Sequence, residues 1–318
     1  MVVISQNPTM KIEKIRDDID LPIINLLNKS EAMKEMVRAC EEYGFFKVIN
    51  HGMPQEIISQ VEEEAAGFFA MPGPEKLRAG PPYGCKNIGL KGDVGEVEYL
   101  ILQANSSPFL IQSDDSNKFS SAINAYVEAV RKLACELLDL LMEGLLGSTP
   151  NPTTSSMLSR LIKDRESDSI LRFNHYPPVD VSTDSPKIGF GEHTDPQIIT
   201  LLRSNGVKGL QISIEDGVWI PVNPRPESSF CVNVGDLLQV MTNGRFVSVK
   251  HRVAVQPFES RMSIAYFAAP PLHATVSCLP GVAAPPIYRS FSWGEYKQAA
   301  FMRRLGDTRV NLFERAIS

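Results

Sequence analysis

From Ser169 to Pro270 the chain is a train of short, β-branched runs separated by turn residues. The runs are Ile170–Tyr176, Ile198–Leu202, Leu210–Ile214, Val218–Val222, Ser229–Val234, Leu237–Met241, Phe246–Val255 and Arg261–Ala268. Between them stand Ser204-Asn205-Gly206, Asp216-Gly217, Gly235-Asp236 and Asn243-Gly244. Such glycine, asparagine and aspartate clusters supply the positive φ that tight turns need. Short strands at this spacing build a sandwich or barrel, and eight of them fit a double-sheet jelly roll.

The first half differs in kind. Residues 1–20 carry no sustained pattern. Leu21–Leu26 reads as a short strand with Pro22 at its start, where a missing donor matters least. Asn28–Tyr43 predicts a helix: Ala32, Met36, Val37 and Cys40 form an apolar stripe, and Gly44 stands at the C-terminal stop. Phe45–Asn50 reads as a strand and Gln55–Phe69 as an amphipathic helix, and the proline- and glycine-rich Met71–Cys85 reads as a loop. Gly95–Leu102 is strand-like. Lys118–Leu146 predicts a long helix with Ile123, Val127, Val130, Ala134, Leu137, Leu141 and Leu145 on one face. Met157–Lys163 is a shorter helix, and Ser292-x-x-Glu295 resembles a capping box opening a last one. The expected class is α+β, a jelly-roll core flanked by helices. A soft boundary near residue 150 separates a mostly helical region, 1–150, packed on the barrel, from the jelly-roll domain with its C-terminal helix, 151–318.

Composition narrows the function classes. With 318 residues and a net charge of −5, a non-specific grip on nucleic acid is not expected. No run approaches the roughly 20 apolar residues of a membrane span, and the first residues do not read as a signal peptide. The five cysteines are scattered, odd in number and without a CxxC spacing. They fit reduced thiols and a cytoplasmic location, not a disulfide framework or a thiolate zinc site.

Inside the β-rich half lie His193-Thr194-Asp195, then 55 residues, then His251. In an extended strand His193 and Asp195 point to one face. A bare His-x-Asp is a weak signal. Its company strengthens it: Gly189-Phe190-Gly191 before, a β-rich run after, and a histidine in a later strand. Two imidazoles and one carboxylate on one face of an octahedron leave positions open, the preference of oxygen-activating non-haem Fe(II).

Ten residues beyond His251, Arg261, Ser263, Ala265 and Phe267 share strand parity. Two apolar members mark that face as interior, where a lone guanidinium is costly. A carboxylate ligand on Arg261, with Ser263 as a further donor, resolves that cost. Asn174 and Tyr176 share one face of an earlier strand and can reach the same site, whereas His175 points away. His51 and His273 lie beside turn residues and read as structural, and Trp219 and Trp293 as packing residues.

At these residues the chain resembles the plant-type Fe(II)/2-oxoglutarate-dependent dioxygenases, whose core is a double-stranded β-helix. Leu21–Ile24 and Ala39–Gly52 are similar to that superfamily's amino-terminal signature, and Asn174-His175-Tyr176-Pro177-Pro178 stands where it usually has Asn-Tyr-Tyr-Pro-Pro. Gly189–Ile199, Leu201–Gly206, Val240–Phe246 and Gly92–Leu100 resemble the gibberellin 2-oxidases, most of all those acting on C19 gibberellins. Val179 and Glu96 depart from that pattern, standing where many relatives have cysteine and tryptophan.

The resemblance implies iron ligands at His193, Asp195 and His251, and a 2-oxoglutarate anchor at Arg261 and Ser263 helped by Tyr176 and Asn174. It implies Fe(II), 2-oxoglutarate and O2, with ascorbate as a supporting reductant. It also implies hydroxylation of a small-molecule gibberellin at C2, which inactivates the hormone. For an apolar, polycyclic, anionic substrate the candidate contacts are Tyr83, Lys86, Tyr99 and Phe267, with Lys86 offered to its carboxylate. Three alternatives remain open: a sister dioxygenase acting on another gibberellin position or a flavonoid-like molecule, a zinc hydrolase on the same three ligands, and a non-catalytic hormone-binding protein.

Overall fold

The computed structural model describes residues 14–17, 19–88, 93–105, 116–147, 156–179, 187–224, 226, 228–282 and 285–315. The strands are β1 (Lys14–Ile15), β2 (Ile23–Asn25), β3 (Phe45–Ile49), β4 (Tyr83–Asn87), β5 (Val94–Gln103), β6 (Ile170–Tyr176), β7 (Ile188–His193) and β8 (Ile199–Ser204), followed by β9 (Leu210–Glu215), β10 (Val218–Pro221), β11 (Phe230–Val234), β12 (Lys250–Ala254), β13 (Arg261–Ala268), β14 (Thr275–Val276) and β15 (Phe291–Ser292). The helices are α1 (Lys29–Glu42), α2 (Gln55–Ala70), α3 (Gly73–Lys76), α4 (Ser116–Leu146), α5 (Met157–Lys163), α6 (Asp236–Met241) and α7 (Trp293–Phe301).

Two sheets carry the site. One has five strands in the order β1-β10-β9-β12-β7, and the other eight in the order β2-β3-β11-β8-β13-β6-β5-β4. The larger sheet draws β2 to β5 from before residue 150 and the rest from after it.

The pleat of the larger sheet sorts its side chains into two environments. On β13, Met262, Ile264, Tyr266 and Ala268 join the large apolar core shared with the helices, while Arg261, Ser263, Ala265 and Phe267 line a cavity between the sheets. On β6, Leu171 and Phe173 face that same core, and Arg172, Asn174 and Tyr176 face the cavity. Period-two alternation with both faces buried locks the register, because a one-residue slip would exchange the two sets. A smaller apolar cluster, including Phe45, Tyr176, Phe190, Leu210, Ile212 and Val253, binds the two sheets to each other.

The helices close the outer face. Every residue of the expected α4 stripe, from Ile123 to Leu145, is buried, and α4 packs on α1, α2 and α5. Each buried leucine or valine of such a stripe contributes roughly 1.5–3 kcal/mol. Asn28 caps α1 through its side-chain oxygen, which accepts from the Glu31 amide at 3.4 Å. Gly44 ends the helix at φ +62°, and a Cβ there would strike the Val247 carbonyl oxygen. Ser292 caps α7, accepting from the Glu295 amide at 3.2 Å. The helix stops at Phe301.

The expected elements need four corrections. Leu237–Met241 is not a strand but lies in helix α6. Its amides at Asp236 and Leu237 are taken by the carbonyls of Asp195 and Gln197, so tertiary anchoring overrides an apolar run that reads as β. The long Phe246–Val255 run contracts to β12. The Met71–Cys85 loop contains α3 and the start of β4. Lys14–Ile15, within the patternless first 20 residues, forms a parallel pair with β10.

Candidate metal centre and its cavity

His193 is the last residue of β7 and pairs with His251 on the neighbouring β12. Their ring centroids lie 4.2 Å apart. Asp195 lies beyond the end of β7 and not within a strand. Strand parity is therefore not what aims it. The Thr194–Gln197 segment is pinned instead by α6, whose Asp236 amide donates to the Asp195 carbonyl at 2.7 Å. The outcome is the convergence expected from the sequence. The Nε2 atoms of His193 and His251 each lie 3.6 Å from Asp195 Oδ1. One ligand atom from each of the three residues falls within 4.8 Å of the others, the one such cluster among the described residues.

The hydrogen bonds around the triad leave its lone pairs free. His193 Nδ1 lies 2.8 Å from the Gly191 carbonyl oxygen and His251 Nδ1 3.3 Å from that of Val249. A carbonyl only accepts, so both rings donate from Nδ1 and turn Nε2 to the common point. Asp195 Oδ2 accepts from Thr200 Oγ1 and Asn233 Nδ2, each at 2.7 Å, which reserves Oδ1 for a ligand. Burial, reinforced by His251, holds the His193 imidazole well below its ordinary pKa. Burial would raise the Asp195 pKa, but His251, His193, Asn233 and Thr200 outweigh it and keep the carboxylate ionised. A neutral imidazole at His193 and an ionised carboxylate at Asp195 are forms that bind a metal.

Asp236 braces this arrangement from behind. Its carboxylate accepts from Thr194 Oγ1 at 3.1 Å, Tyr296 OH at 2.7 Å and Ser248 Oγ at 2.7 Å. Helix α7 is thereby tied to the loop that carries the triad.

The triad opens into a cavity of about 500 Å³, mouth included. Arg261 lies along its wall, 2% exposed. Its Nε and Nη1 are buried and have no hydrogen-bond partner. It stands opposite Tyr176 on β6, as Ser263 stands opposite Asn174, and all four line the cavity. An orphaned guanidinium with hydroxyl donors beside it, across a cavity from three metal-ligating atoms, fits a small dicarboxylate bridging the two. Both the donor set and the orphaned nitrogens therefore suit Fe(II) and 2-oxoglutarate.

Sequence comparison agrees with this geometry. Residues 167–270 match the 2OG-Fe(II) oxygenase superfamily, and residues 18–97 match the N-terminal region described as non-haem dioxygenase in morphine synthesis. Gibberellin 2-beta-dioxygenase 4 of Arabidopsis thaliana is 50% identical, over 93% of this chain and 95% of its own. Gibberellin 2-beta-dioxygenase 1 of Pisum sativum is 44% identical over 99% of both chains. The chain belongs to the gibberellin 2-beta-dioxygenase family of 2OG-Fe(II) oxygenases. As a member it is an oxidoreductase using Fe(II), 2-oxoglutarate and O2. Solved structures share its fold: JOX2 in complex with 2OG, Fe and JA superposes with a TM-score of 0.78 at 26% identity, covering 97% of this chain and 92% of the other. The dioxygenase for auxin oxidation in rice gives 0.76 at 26% identity, covering 93% and 100%. No helix among the described residues is long and apolar enough to cross a membrane.

The remaining expected substrate contacts divide. Phe267 lines the cavity, and Tyr99 lies just behind it, its ring under the Arg172 guanidinium and its hydroxyl donating to the Asn87 carbonyl at 2.7 Å. Tyr83 and Lys86 are not brought to the cavity. Tyr83 packs against the helix-side core, its hydroxyl donating to Glu98 at 2.7 Å. Lys86 is exposed and pairs with Glu96 at 3.7 Å. His51 and His273, expected to be structural, lie outside the triad, His51 bonded to the Ser228 carbonyl and His273 facing Glu166; His175, expected to point away, reaches Glu98 and Ser260. Sequence reasoning missed Arg172, Thr200 and Asn233. Arg172 has the parity of Asn174 and Tyr176, so extending that strand's inward face by one step finds it. Thr200 and Asn233 carry the weaker signal of single polar residues inside apolar runs.

Proposed function

We propose that this protein hydroxylates gibberellins of the C19 type at C2, inactivating the hormone. Support comes from the relatives, which are named gibberellin 2-beta-dioxygenases. The observation that carries the chemistry is the pairing of the His193, Asp195 and His251 cluster with the orphaned Arg261 guanidinium in one cavity. In this reading His193, Asp195 and His251 hold Fe(II), which with 2-oxoglutarate and O2 supplies the oxidising chemistry. Arg261 grips the far carboxylate of 2-oxoglutarate through its planar fork. Ser263 and Tyr176 donate hydroxyl bonds to that same end, and Asn174 flanks it. Thr200 and Asn233 hold Asp195 with Oδ1 towards the metal. The apolar walls at Phe45, Phe190, Leu210 and Phe267 exclude bulk water and orient C2 of the steroid-sized substrate. No side chain is assigned as a general base.

Anaerobic loading with Fe(II), followed by O2, 2-oxoglutarate and a gibberellin panel, tests the proposal. The expected result is one succinate per gibberellin that gains one oxygen at C2, located by mass spectrometry and NMR. Oxygen inserted at another carbon would make it a sister enzyme. Gibberellin binding without succinate release would make it a hormone-binding protein.

A further inference from the structure

The cavity holds a second guanidinium that the chemistry above does not use. Arg172 projects from β6 into the same space, two residues before Asn174 and four before Tyr176. Its Nε donates to Asn174 Oδ1 at 2.7 Å. Its plane is held between two aromatic rings, with the guanidinium carbon 4.5 Å from the centroid of Tyr99 and 4.7 Å from that of Phe190. Nη2 is buried and has no hydrogen-bond partner, and no carboxylate pairs with Arg172 among the described residues. Two rings and one amide fix the fork, yet they leave a half-buried cation without its anion. The unsatisfied donor and the unneutralised charge are both relieved by one carboxylate.

Register tells which carboxylate. Arg261 lies opposite Tyr176, and Arg172 lies opposite Ala265, four residues further along both strands. That is about 13 Å at roughly 3.3 Å per residue. Phe267, one inward position beyond Ala265, pairs with Thr200, the residue that holds Asp195. The metal cluster and Arg172 therefore share one end of the cavity and Arg261 occupies the other. A diacid bound to both Arg261 and the triad brings its carboxylates to those two points and leaves Nη2 of Arg172 for another anion. Gibberellins are rigid polycyclic carboxylic acids. Lys86, expected from the sequence to meet that acid, is turned to Glu96 instead.

We propose that Arg172 binds the carboxylate of the gibberellin and so fixes which carbon of the rigid ring system faces the metal. This rests on the reading of gibberellin as substrate. The clamp by Tyr99 and Phe190 prearranges the fork, so one anchored acid orients the whole molecule without further polar contacts.

The test compares a gibberellin with its carboxyl methyl ester, on the wild-type protein and on Arg172→Gln and Arg172→Lys. Binding is measured anaerobically by calorimetry with Mn(II) and 2-oxoglutarate present, and turnover with Fe(II). Wild type is expected to prefer the free acid over the ester by about 30- to 100-fold in Kd and in kcat/KM. Arg172→Gln is expected to lose most of that preference, treating acid and ester within about threefold, with a far smaller change in Kd for 2-oxoglutarate. Arg172→Lys, which keeps the charge but not the fork, should retain part of the preference and yield more than one hydroxylated product. If wild type turns over acid and ester alike, or Arg172→Gln keeps the full preference, the assignment of Arg172 is wrong while the gibberellin reading stands. If wild type binds and oxidises neither form, both fall. Should Arg172→Gln not fold, the wild-type ester comparison and the lysine variant still decide the matter.

Discussion

Asn233 Nδ2 donates to Asp195 Oδ2 across 2.7 Å, joining the end of β11 to the one carboxylate of the metal cluster. With Thr200 on the same oxygen, this bond leaves Asp195 a single free oxygen and a single orientation. Partners of this kind tune metal affinity by about 10- to 100-fold. Asn233→Ala and Thr200→Val are each expected to weaken Fe(II) binding within that range, read by anaerobic titration. A variant that binds iron as tightly as wild type would show that Asp195 is held by its backbone alone.

Arg261→Met should raise the KM for 2-oxoglutarate by about 100-fold or more, the loss expected when a charge-assisted fork is deleted. The KM for gibberellin should move much less. Steady-state kinetics with each substrate varied in turn gives the split. Equal increases in both would place the guanidinium outside the 2-oxoglutarate site.

Gly235 approaches the carbonyl group of Gln197 so closely that a Cβ would collide with it, and that Cβ would also stand 3.2 Å from the Asp195 carbonyl oxygen. Gly235→Ala must push the Asp195 loop away from α6. It should destabilise the fold by about 1–3 kcal/mol and also loosen Fe(II) binding. Chemical denaturation with and without metal measures both. Unchanged metal affinity would mean that the displacement is absorbed by α6.

Glu98 sits on the outer face of the sheet, where Lys76 Nζ at 2.6 Å, Tyr83 OH at 2.7 Å and His175 Nδ1 at 2.6 Å all meet its carboxylate. Burial works to raise its pKa, but these three donors outweigh it and bring the value from 4.5 down to about 2. A depressed carboxylate pKa stabilises the fold fully above the unfolded value and loses that contribution as pH falls through the folded one. Glu98→Gln should therefore be less stable than wild type at neutral pH, by about 3 kcal/mol given the nearly buried Lys76 it strands. The gap should close as pH drops from about 4.5 towards about 2. Parallel urea titrations across that range test it. A gap independent of pH would assign the loss to packing.

The parity of Arg261, Ser263, Ala265 and Phe267 was legible in the sequence because both faces of β13 are buried and differ in character. The triad was legible too, though for a partly mistaken reason. Asp195 was expected to aim along a strand, and it is held instead by Thr200 of β8, a few residues on, and by β11 and α6, far away in sequence. Helix α6 was illegible because Leu237–Met241 has the composition of a strand and only its anchored first turn makes it helical. Strand β4 was hidden behind the prolines of the preceding segment. Arg172 was overlooked because a charge between Leu171 and Phe173 reads as a surface residue. Only the rings of Tyr99 and Phe190, from two other strands, make it part of the cavity wall.

His175 lies between Asn174 and Tyr176, yet it leaves the barrel on the opposite side, stacked on Phe69 and bonded to Glu98 and Ser260. A third imidazole thus waits one position away from the reaction chamber and never competes for the ion. Were β6 to shift by a single residue, the chamber would exchange Arg172, Asn174 and Tyr176 for Leu171, Phe173 and His175, and the wall opposite Arg261 and Ser263 would lose its amide and its phenol. Glu98, a carboxylate outside the chamber, thereby helps to hold the register that shapes the wall within.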